Sequence, residues 1–223
     1  MPELSFAINV AEPIRFAAVP TLAFRLEIAQ AAGGEPIENI LLLAQIQIDA
    51  TRRRYSTEEQ AGLRELFGDV ENWSRTLRTM HWTHAQALVP AFEERIAIDL
   101  AVPCTFDFNI ATTKYFDALR EGEIPLTFLF SGTIFYRDEH AALQAQRIAW
   151  TKECQYRLPA RVWRLMMDAY YPNSVWLSLE RDSFDKLAAF KRKRGTPTFE
   201  RALEELLARE TDAQAPIGAT SSE

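Results

Sequence analysis

The residues best suited to chemistry in this sequence are two histidines and a cysteine. His81 and His84 stand three positions apart, and Cys104 and Asp107 follow farther along the chain. Zinc takes histidine, cysteine and carboxylate ligands, and a cysteine beside a histidine can act as a nucleophile. The histidine segment is more typical of a strand or loop than of a helix, and in a strand positions i and i+3 face opposite sides. We therefore expect two partly buried histidines beside Trp82, with an enzyme site around this cluster as the alternative.

Motifs of the large enzyme classes are missing. The chain has no phosphate-binding G-x-x-x-x-G-K-[ST], no G-x-G-x-x-G, no G-x-S-x-G and no H-E-x-x-H. Ser131 and Gly132 lie in an apolar run, where glycine marks a bulge or close packing more often than an oxyanion site. We assign no catalytic, cofactor-binding or metal-ligating residue, and we expect no cofactor.

Charge argues against nucleic acid as a partner. The chain has 25 Lys and Arg against 31 Asp and Glu, a formal net charge of -6, whereas phosphate binding needs a positive field. The basic run at residues 191–194 is predicted to be the solvated last turn of a helix, where cations complement the helix dipole. An anion-binding patch is the alternative for this run.

Aromatic residues near predicted loops are candidates for partner contacts. Tyrosine and tryptophan are enriched at protein interfaces because they bury large areas and keep a polar end. Burial statistics make core packing the stronger expectation for most of them. The partner-contact candidates are Trp73, Trp82, Tyr170, Tyr171 and Trp176.

Length and composition indicate a globular protein of the cytoplasm. The chain has 223 residues, of which 48% are hydrophobic and 25% charged, as in ordinary globular domains. The N-terminus lacks the basic and apolar regions of a secretory signal. No apolar run approaches the length of about 20 residues that spans a bilayer. Two cysteines exclude a disulfide framework and fit a reducing compartment.

Hydrophobic periodicity predicts strands first and helices later. Apolar residues alternate with polar ones in most of the first half of the chain, the pattern of strands with one buried face. The glycines and proline of residues 33–36 predict a hairpin loop. Strands are expected over residues 5–10, 22–28, 45–49, 92–103, 105–110, 124–136 and 143–156.

Helices interrupt and then follow these strands. Ser56 and Glu59 form a capping box, with Gly68 as the stop signal, and a second short helix is expected over residues 70–77. Pro159 suits the first turn of a later helix. Asp182 is expected to cap another that stops at residue 195, and a last helix follows.

The predicted fold class is α+β, with an antiparallel, sandwich-like β-rich core, because strands and helices are segregated. Residues 1–158 form this core, with a helical insertion near 56–77. Residues 159–210 form a helical segment packed on the core, and residues 211–223 a flexible tail. An exposed edge strand would permit a homodimer.

Several segments resemble an uncharacterised bacterial family, a domain of unknown function, over residues 2 to about 207. From this resemblance we expect an association with gene clusters of the actinobacterial-type nickel–iron hydrogenase. The matching segments are PELSF (2–6), RRRYS (52–56), LFG (66–68) with Trp73, WTH (82–84), VPCTFD (102–107), ATTKYF (111–116), LFSGT (129–133), YRLP (156–159), YPNS (171–174) and WL (176–177).

This resemblance implies a cytoplasmic accessory protein in hydrogenase maturation, assembly or scaffolding, with a hydrogenase subunit as partner. Two cysteines and three histidines are few for a protein that delivers nickel or iron. The leading hypothesis is therefore a non-enzymatic interaction protein. The alternatives are an enzyme with a site around His81, His84 and Cys104, or a chaperone-like protein with an apolar groove.

Overall fold

A computed structural model of the chain describes residues 2–105, 110–174, 177 and 179–214. Within these residues it has two antiparallel sheets with eight strands, and six α-helices, which confirms the α+β class with a β-rich core. The strands are β1 Leu4–Pro13, β2 Thr21–Gln30, β3 Ile37–Ile48, β4 Met80–Val89, β5 Arg95–Pro103, β6 Glu123–Arg137, β7 Leu143–Arg147 and β8 Glu153–Pro159. The helices are α1 Thr57–Phe67, α2 Trp73–Thr76, α3 Ile110–Ala118, α4 Ala160–Tyr170, α5 Arg181–Arg194 and α6 Phe199–Gln214. No helix in this part of the chain is long and apolar enough to span a bilayer.

The two sheets have the orders β1-β2-β5 and β4-β3-β6-β7, and β8 also pairs with β6. They pack face to face through side chains of their inner surfaces. Phe6 on β1 stacks on Phe130 of β6 with ring centroids 4.3 Å apart. Phe24 on β2 meets Phe128 of β6 edge-on at 5.1 Å. The alternating pattern of the sequence is therefore the inner and outer face of a sandwich.

Residues 33–36 were predicted to close a hairpin, and this prediction is wrong. They connect β2 to β3, and these strands lie in different sheets. β2 pairs with β1 and β5, whereas β3 pairs with β4 and β6. The loop is a crossover between layers, because both strands bury an apolar face and the two faces meet in one core.

The strand predicted over residues 143–156 is two strands. β7 pairs with the last residues of β6, and β8 pairs with its first half. Trp150 lies in the turn between them, and 89% of the residue is exposed. The 15-residue β6 is long enough to carry both neighbours on one edge.

The strand predicted over residues 105–110 falls largely outside the described residues. Ile110 begins α3 instead of ending a strand. Tyr115 and Phe116 of this helix are both buried, and adjacent buried residues fit a helix on a core better than a strand with one solvent face.

The predicted capping box is present. The Ser56 hydroxyl accepts a hydrogen bond from the Glu59 amide, and the Glu59 carboxylate accepts one from the Ser56 amide. α1 ends at Gly68, whose φ of 73° is left-handed. A 3-10 turn and α2 follow over residues 70–76, close to the second short helix that was predicted.

The chain divides into two compact units, Met1–Ser174 and Val175–Glu223. In the second unit α5 packs on α6, with the rings of Phe184 and Phe199 at 5.5 Å. α5 begins after Glu180, not at the predicted Asp182 cap, and ends at Gly195 as predicted. Packing of these helices on the core stays a prediction, and residues 215–223 of the predicted tail lie outside the described residues.

The basic run at residues 191–194 forms the last turn of α5, as predicted. The Arg194 Nε donates to the Glu205 Oε2 of α6 at 3.2 Å. The Lys191 ammonium lies 5.5 Å from the centre of the Phe199 ring. Two of the four cations therefore contribute to packing between α5 and α6.

Candidate functional site

The loop between β1 and β2, residues 14–20, presents an aromatic side chain to solvent. Phe16 is fully exposed (100%) and has a φ of 61°. A bulky residue in the left-handed region costs on the order of 1–3 kcal/mol, and such strain is concentrated at functional sites. Burial offsets none of this cost at Phe16. The conformation therefore presents the ring outward at the expense of stability.

The backbone of this loop is fixed on both sides. The Tyr170 hydroxyl of α4 lies 3.2 Å from the Ile14 carbonyl oxygen and 2.9 Å from that of Ala17, and donates to them. A phenol has a single proton, so the two carbonyls share it. The Thr21 hydroxyl donates to the Val19 carbonyl at 2.8 Å. These bonds attach the loop backbone to α4 on one side and to the start of β2 on the other.

The tip of the loop is apolar. Ala18, two positions after Phe16, is exposed and Val19 is 38% exposed, while the exposed Arg15 before Phe16 is the charged residue of the loop. A loop whose backbone is held by hydrogen bonds in this way has less conformational entropy to lose than a free loop. Residues 14–20 include no carboxylate, histidine, thiol or hydroxyl side chain.

Two of the predicted partner-contact residues are core side chains. Trp73 is 9% exposed, and its Nε1 donates to the Gly68 carbonyl at 3.0 Å. Trp82 is 6% exposed and meets Phe116 of α3 at 5.0 Å and Trp163 of α4 at 6.4 Å. Both indoles cover the helical end of the sandwich core.

The other predicted contacts are two tyrosines and one tryptophan. Tyr170 is half-buried and clamps the loop described above. Tyr171 is also half-buried, and Trp176 lies outside the described residues. Sequence reasoning missed Phe16 itself. The available signal was a connection between two strands made of apolar residues, where Gly, Asn or Asp are usual.

His81 and His84 share a face of β4, contrary to the expectation from their spacing. The register of β4 against β3 shifts at this point, since Thr83 pairs with Ile46 and His81 with Gln47. The extra residue, Trp82, points into the core and both histidines are exposed. Their ring centroids are 4.6 Å apart. A β-bulge has thus given i and i+3 the relation that i and i+2 have in a regular strand.

Cys104 does not join these histidines. It is buried, its Sγ lies 3.2 Å from the Val102 carbonyl oxygen, and burial raises the pKa of the thiol to about 12. It lines a cavity of about 10 Å³ together with Trp82, on the inner side of β4. Asp107 lies outside the described residues. Among the described residues no three His, Cys, Asp or Glu side chains converge.

An ion pair lies under a polar depression of about 700 Å³ at the start of α1. The Arg53 Nη2 contacts the Glu59 Oε1 at 2.5 Å, and both side chains are less than 10% exposed. The Arg53 guanidinium also donates to the carbonyls of Glu121 and Glu123. These bonds tie the segment before α1 to the loop before β6, which indicates a structural role.

The Glu59 carboxylate is held ionised in this pair. Burial acts to raise its pKa, but hydrogen bonds from the amides of Ser56 and Arg120 and the charge of Arg53 outweigh burial and lower the pKa. A carboxylate with its oxygens engaged in this way is a poor general base. The capping box predicts the role of Glu59 at the start of α1 from the sequence. No local pattern predicts its ion pair with Arg53.

Two tyrosines nearby share a hydrogen bond. The hydroxyls of Tyr55 and Tyr115 are 2.8 Å apart, and the Tyr55 hydroxyl donates to the Ala50 carbonyl at 2.6 Å. Burial raises the pKa of both phenols. They stay neutral at physiological pH and serve packing between the helices.

Comparison with protein families decides membership. A family model described as a family of unknown function, DUF6084, matches residues 1–215. The chain belongs to DUF6084. The resemblance to a domain of unknown function is thereby confirmed over nearly the whole chain.

No curated protein and no solved structure matches this DUF6084 chain. The family description names no activity, ligand or partner, and nothing in it links DUF6084 to hydrogenase genes.

Proposed function

We propose that this DUF6084 protein is a non-enzymatic interaction protein that binds another protein through the loop at residues 14–20, with Phe16 as the anchor. One observation carries the proposal. Phe16 is fully exposed in a left-handed conformation, although a glycine or asparagine would be less strained there. Strain retained without a packing benefit is expected where it serves binding.

A protein partner fits this loop better than a membrane or nucleic acid. The chain carries a net charge of -6, so anionic lipid surfaces and phosphate backbones repel it as a whole. Arg15 is the only charged residue among residues 14–20. An apolar tip with one adjacent cation suits a hydrophobic pocket that has an acidic rim.

The partner that the sequence resemblance implies is a hydrogenase subunit in the cytoplasm, and we carry it forward as the candidate. The role would be to hold an immature subunit or join it to a larger assembly. Such a role needs shape and an anchor, both of which the loop supplies, and needs no cluster of metal ligands.

The test is capture of partners from the native host. Tagged wild-type protein, Phe16→Ser and Trp150→Ser are expressed at equal levels, and co-purifying proteins are quantified by mass spectrometry. Trp150 is a matched control, because it is also an exposed aromatic residue but lies elsewhere on the surface. Lys152 in the same turn pairs with Glu3, next to the start of β1, whereas Phe16 follows the end of β1. We expect a stoichiometric partner to be lost with Phe16→Ser and kept with Trp150→Ser.

The other outcomes separate the alternatives. Hydrogenase subunits among the Phe16-dependent proteins would support the candidate partner, and a different single partner would replace it. Many unfolded proteins captured without selectivity would support a chaperone-like protein. A partner retained equally by Phe16→Ser would overturn the assignment of the loop.

A further inference from the structure

We propose that His81 and His84 bind one divalent ion of the later first-row transition metals, the class that contains Ni²⁺, Cu²⁺ and Zn²⁺. The proposal starts from the β-bulge at Trp82, which brings the two imidazoles onto the outer face of β4. It does not depend on the loop at residues 14–20 or on the proposed interaction role.

The separation of the rings matches a shared ion. With metal–nitrogen bonds of about 2.1 Å, imidazoles at adjacent positions of one ion have ring centres about 4.6 to 5.3 Å apart, for right-angled and tetrahedral geometry respectively. The two rings of the protein are 4.6 Å apart and inclined by 64°. Aiming one nitrogen of each ring at a shared ion requires rotation about the side-chain bonds, and both residues are exposed.

The surroundings suit a cation. Gln45 pairs with His84 and Gln47 with His81, so both amide side chains lie on the same outer face. Their amide oxygens are neutral acceptors, which can ligate a metal ion or orient a water molecule bound to it. The outward positions of β3 and β4 around the pair hold no Lys or Arg. They are occupied by Leu41, Leu43, Gln45, Gln47, Gln86 and Leu88.

The ligand set indicates the class of ion and the type of site. Imidazole favours copper, nickel and zinc, while magnesium and calcium require oxygen ligands. Since no third His, Cys, Asp or Glu joins the pair among the described residues, water completes the coordination. β4 is the edge strand of its sheet, so the ion is accessible and exchangeable.

The experiment is equilibrium dialysis and calorimetric titration of the tag-free full chain with NiCl₂, CuCl₂ and ZnCl₂. We expect one ion per chain, and affinity in the order Cu²⁺ above Ni²⁺ and Zn²⁺. His81→Ala and His84→Ala should each weaken binding about a hundredfold, because a two-point chelate becomes a single imidazole. His140→Ala is the matched control, since this exposed histidine lies in the turn between β6 and β7.

Two further readouts make the result independent of a folding defect. Circular dichroism should be unchanged in all three variants, since the substituted positions are exposed. Bound ion should raise the melting temperature of wild type and His140→Ala but not of the other two. Equal affinity of His81→Ala and wild type, or loss of binding in His140→Ala, would overturn the site.

Discussion

The Tyr170 hydroxyl donates to the Ala17 carbonyl at 2.9 Å, across 153 residues of chain. This bond links α4 to the loop that carries Phe16. The loop therefore has its shape only when α4 is docked on the β-sandwich, and the exposed aromatic ring depends on the fold of the whole first unit.

Removing the Tyr170 hydroxyl should loosen the loop at residues 14–20 and leave the rest of the fold unchanged. Tyr170→Phe removes the donor and keeps the ring, leaving the carbonyls of Ile14 and Ala17 without this partner. We expect a loss of about 1–2 kcal/mol in the free energy of unfolding. Amide hydrogen exchange should accelerate in residues 14–20 and stay unchanged in β6. Uniform acceleration across both would show that Tyr170 supports the core and not the loop.

Phe16 is predicted to favour binding over stability. Phe16→Asn introduces a residue that tolerates a left-handed backbone, and it removes an aromatic ring that is fully exposed. The free energy of unfolding should stay equal or rise by up to about 1 kcal/mol, while partner capture is lost. Chemical denaturation measures the free energy of unfolding, and the capture experiment measures partner binding. A marked destabilisation would mean that the ring packs within the fold.

The ion pair of Arg53 and Glu59 should make stability depend on acid pH. Glu59→Gln leaves the guanidinium buried without its counter-charge and should cost about 3–5 kcal/mol at pH 7. Because the folded pKa of Glu59 is below its ordinary value of 4.5, its contribution is complete above that value and is lost as pH falls through the folded pKa.

Denaturation curves of wild type and Glu59→Gln from pH 7 to 3 measure this difference, which should narrow below pH 4.5. Ser56→Ala is the control, because it removes the cap for about 1 kcal/mol and keeps the ion pair. A gap between wild type and Glu59→Gln that stays constant with pH would show that the charge of Glu59 does not matter.

Gly132 should tolerate no side chain. Its φ is 139°, and an added Cβ would lie 2.0 Å from the Leu41 carbonyl oxygen on β3. Gly132→Ala must therefore separate two central strands, and we expect a loss of more than about 2 kcal/mol. Gly68 also has a positive φ, but an added Cβ there would meet open space. Gly68→Ala should therefore lower the free energy of unfolding by only about 1–2 kcal/mol. Thermal unfolding compares the two, and equal losses would contradict the close approach.

Both thiols should be unreactive in the folded protein. Burial raises the pKa of Cys104 and of Cys154 to about 12, so almost no thiolate is present at pH 8. A chromogenic disulfide reagent should label neither cysteine in buffer and both in denaturant. Rapid labelling of Cys104 in the native state would reopen the enzyme hypothesis.

The local signals around α1 were confirmed. The capping box of Ser56 and Glu59 and the stop at Gly68 involve residues in one helix, and their chemistry is complete within a few positions. The close packing expected at Gly132 also follows from a glycine inside an apolar run. Alternation located β1, β2 and β5 because the period of two survives in any sheet with one buried face.

Pairing between distant segments could not be predicted in the same way. The connection at residues 33–36 has the composition of a hairpin, yet β2 and β3 belong to different sheets. Hydrogen bonds of a strand can be satisfied by any partner of suitable length. The pairing partners of β2 and β3 follow from the burial of the apolar faces of the two sheets against each other.

The sequence alone thus determined the α+β class, several of the strands and the capping box of α1, since these depend on periodicity and on neighbours along the chain. Only the tertiary structure decided the functional geometry. The bulge that joins His81 and His84 exists because β4 is held in register against β3. Phe16 faces solvent because Tyr170, far along the chain, fixes the loop beneath it. Both relationships arise from contacts between residues remote in sequence, which no local pattern records.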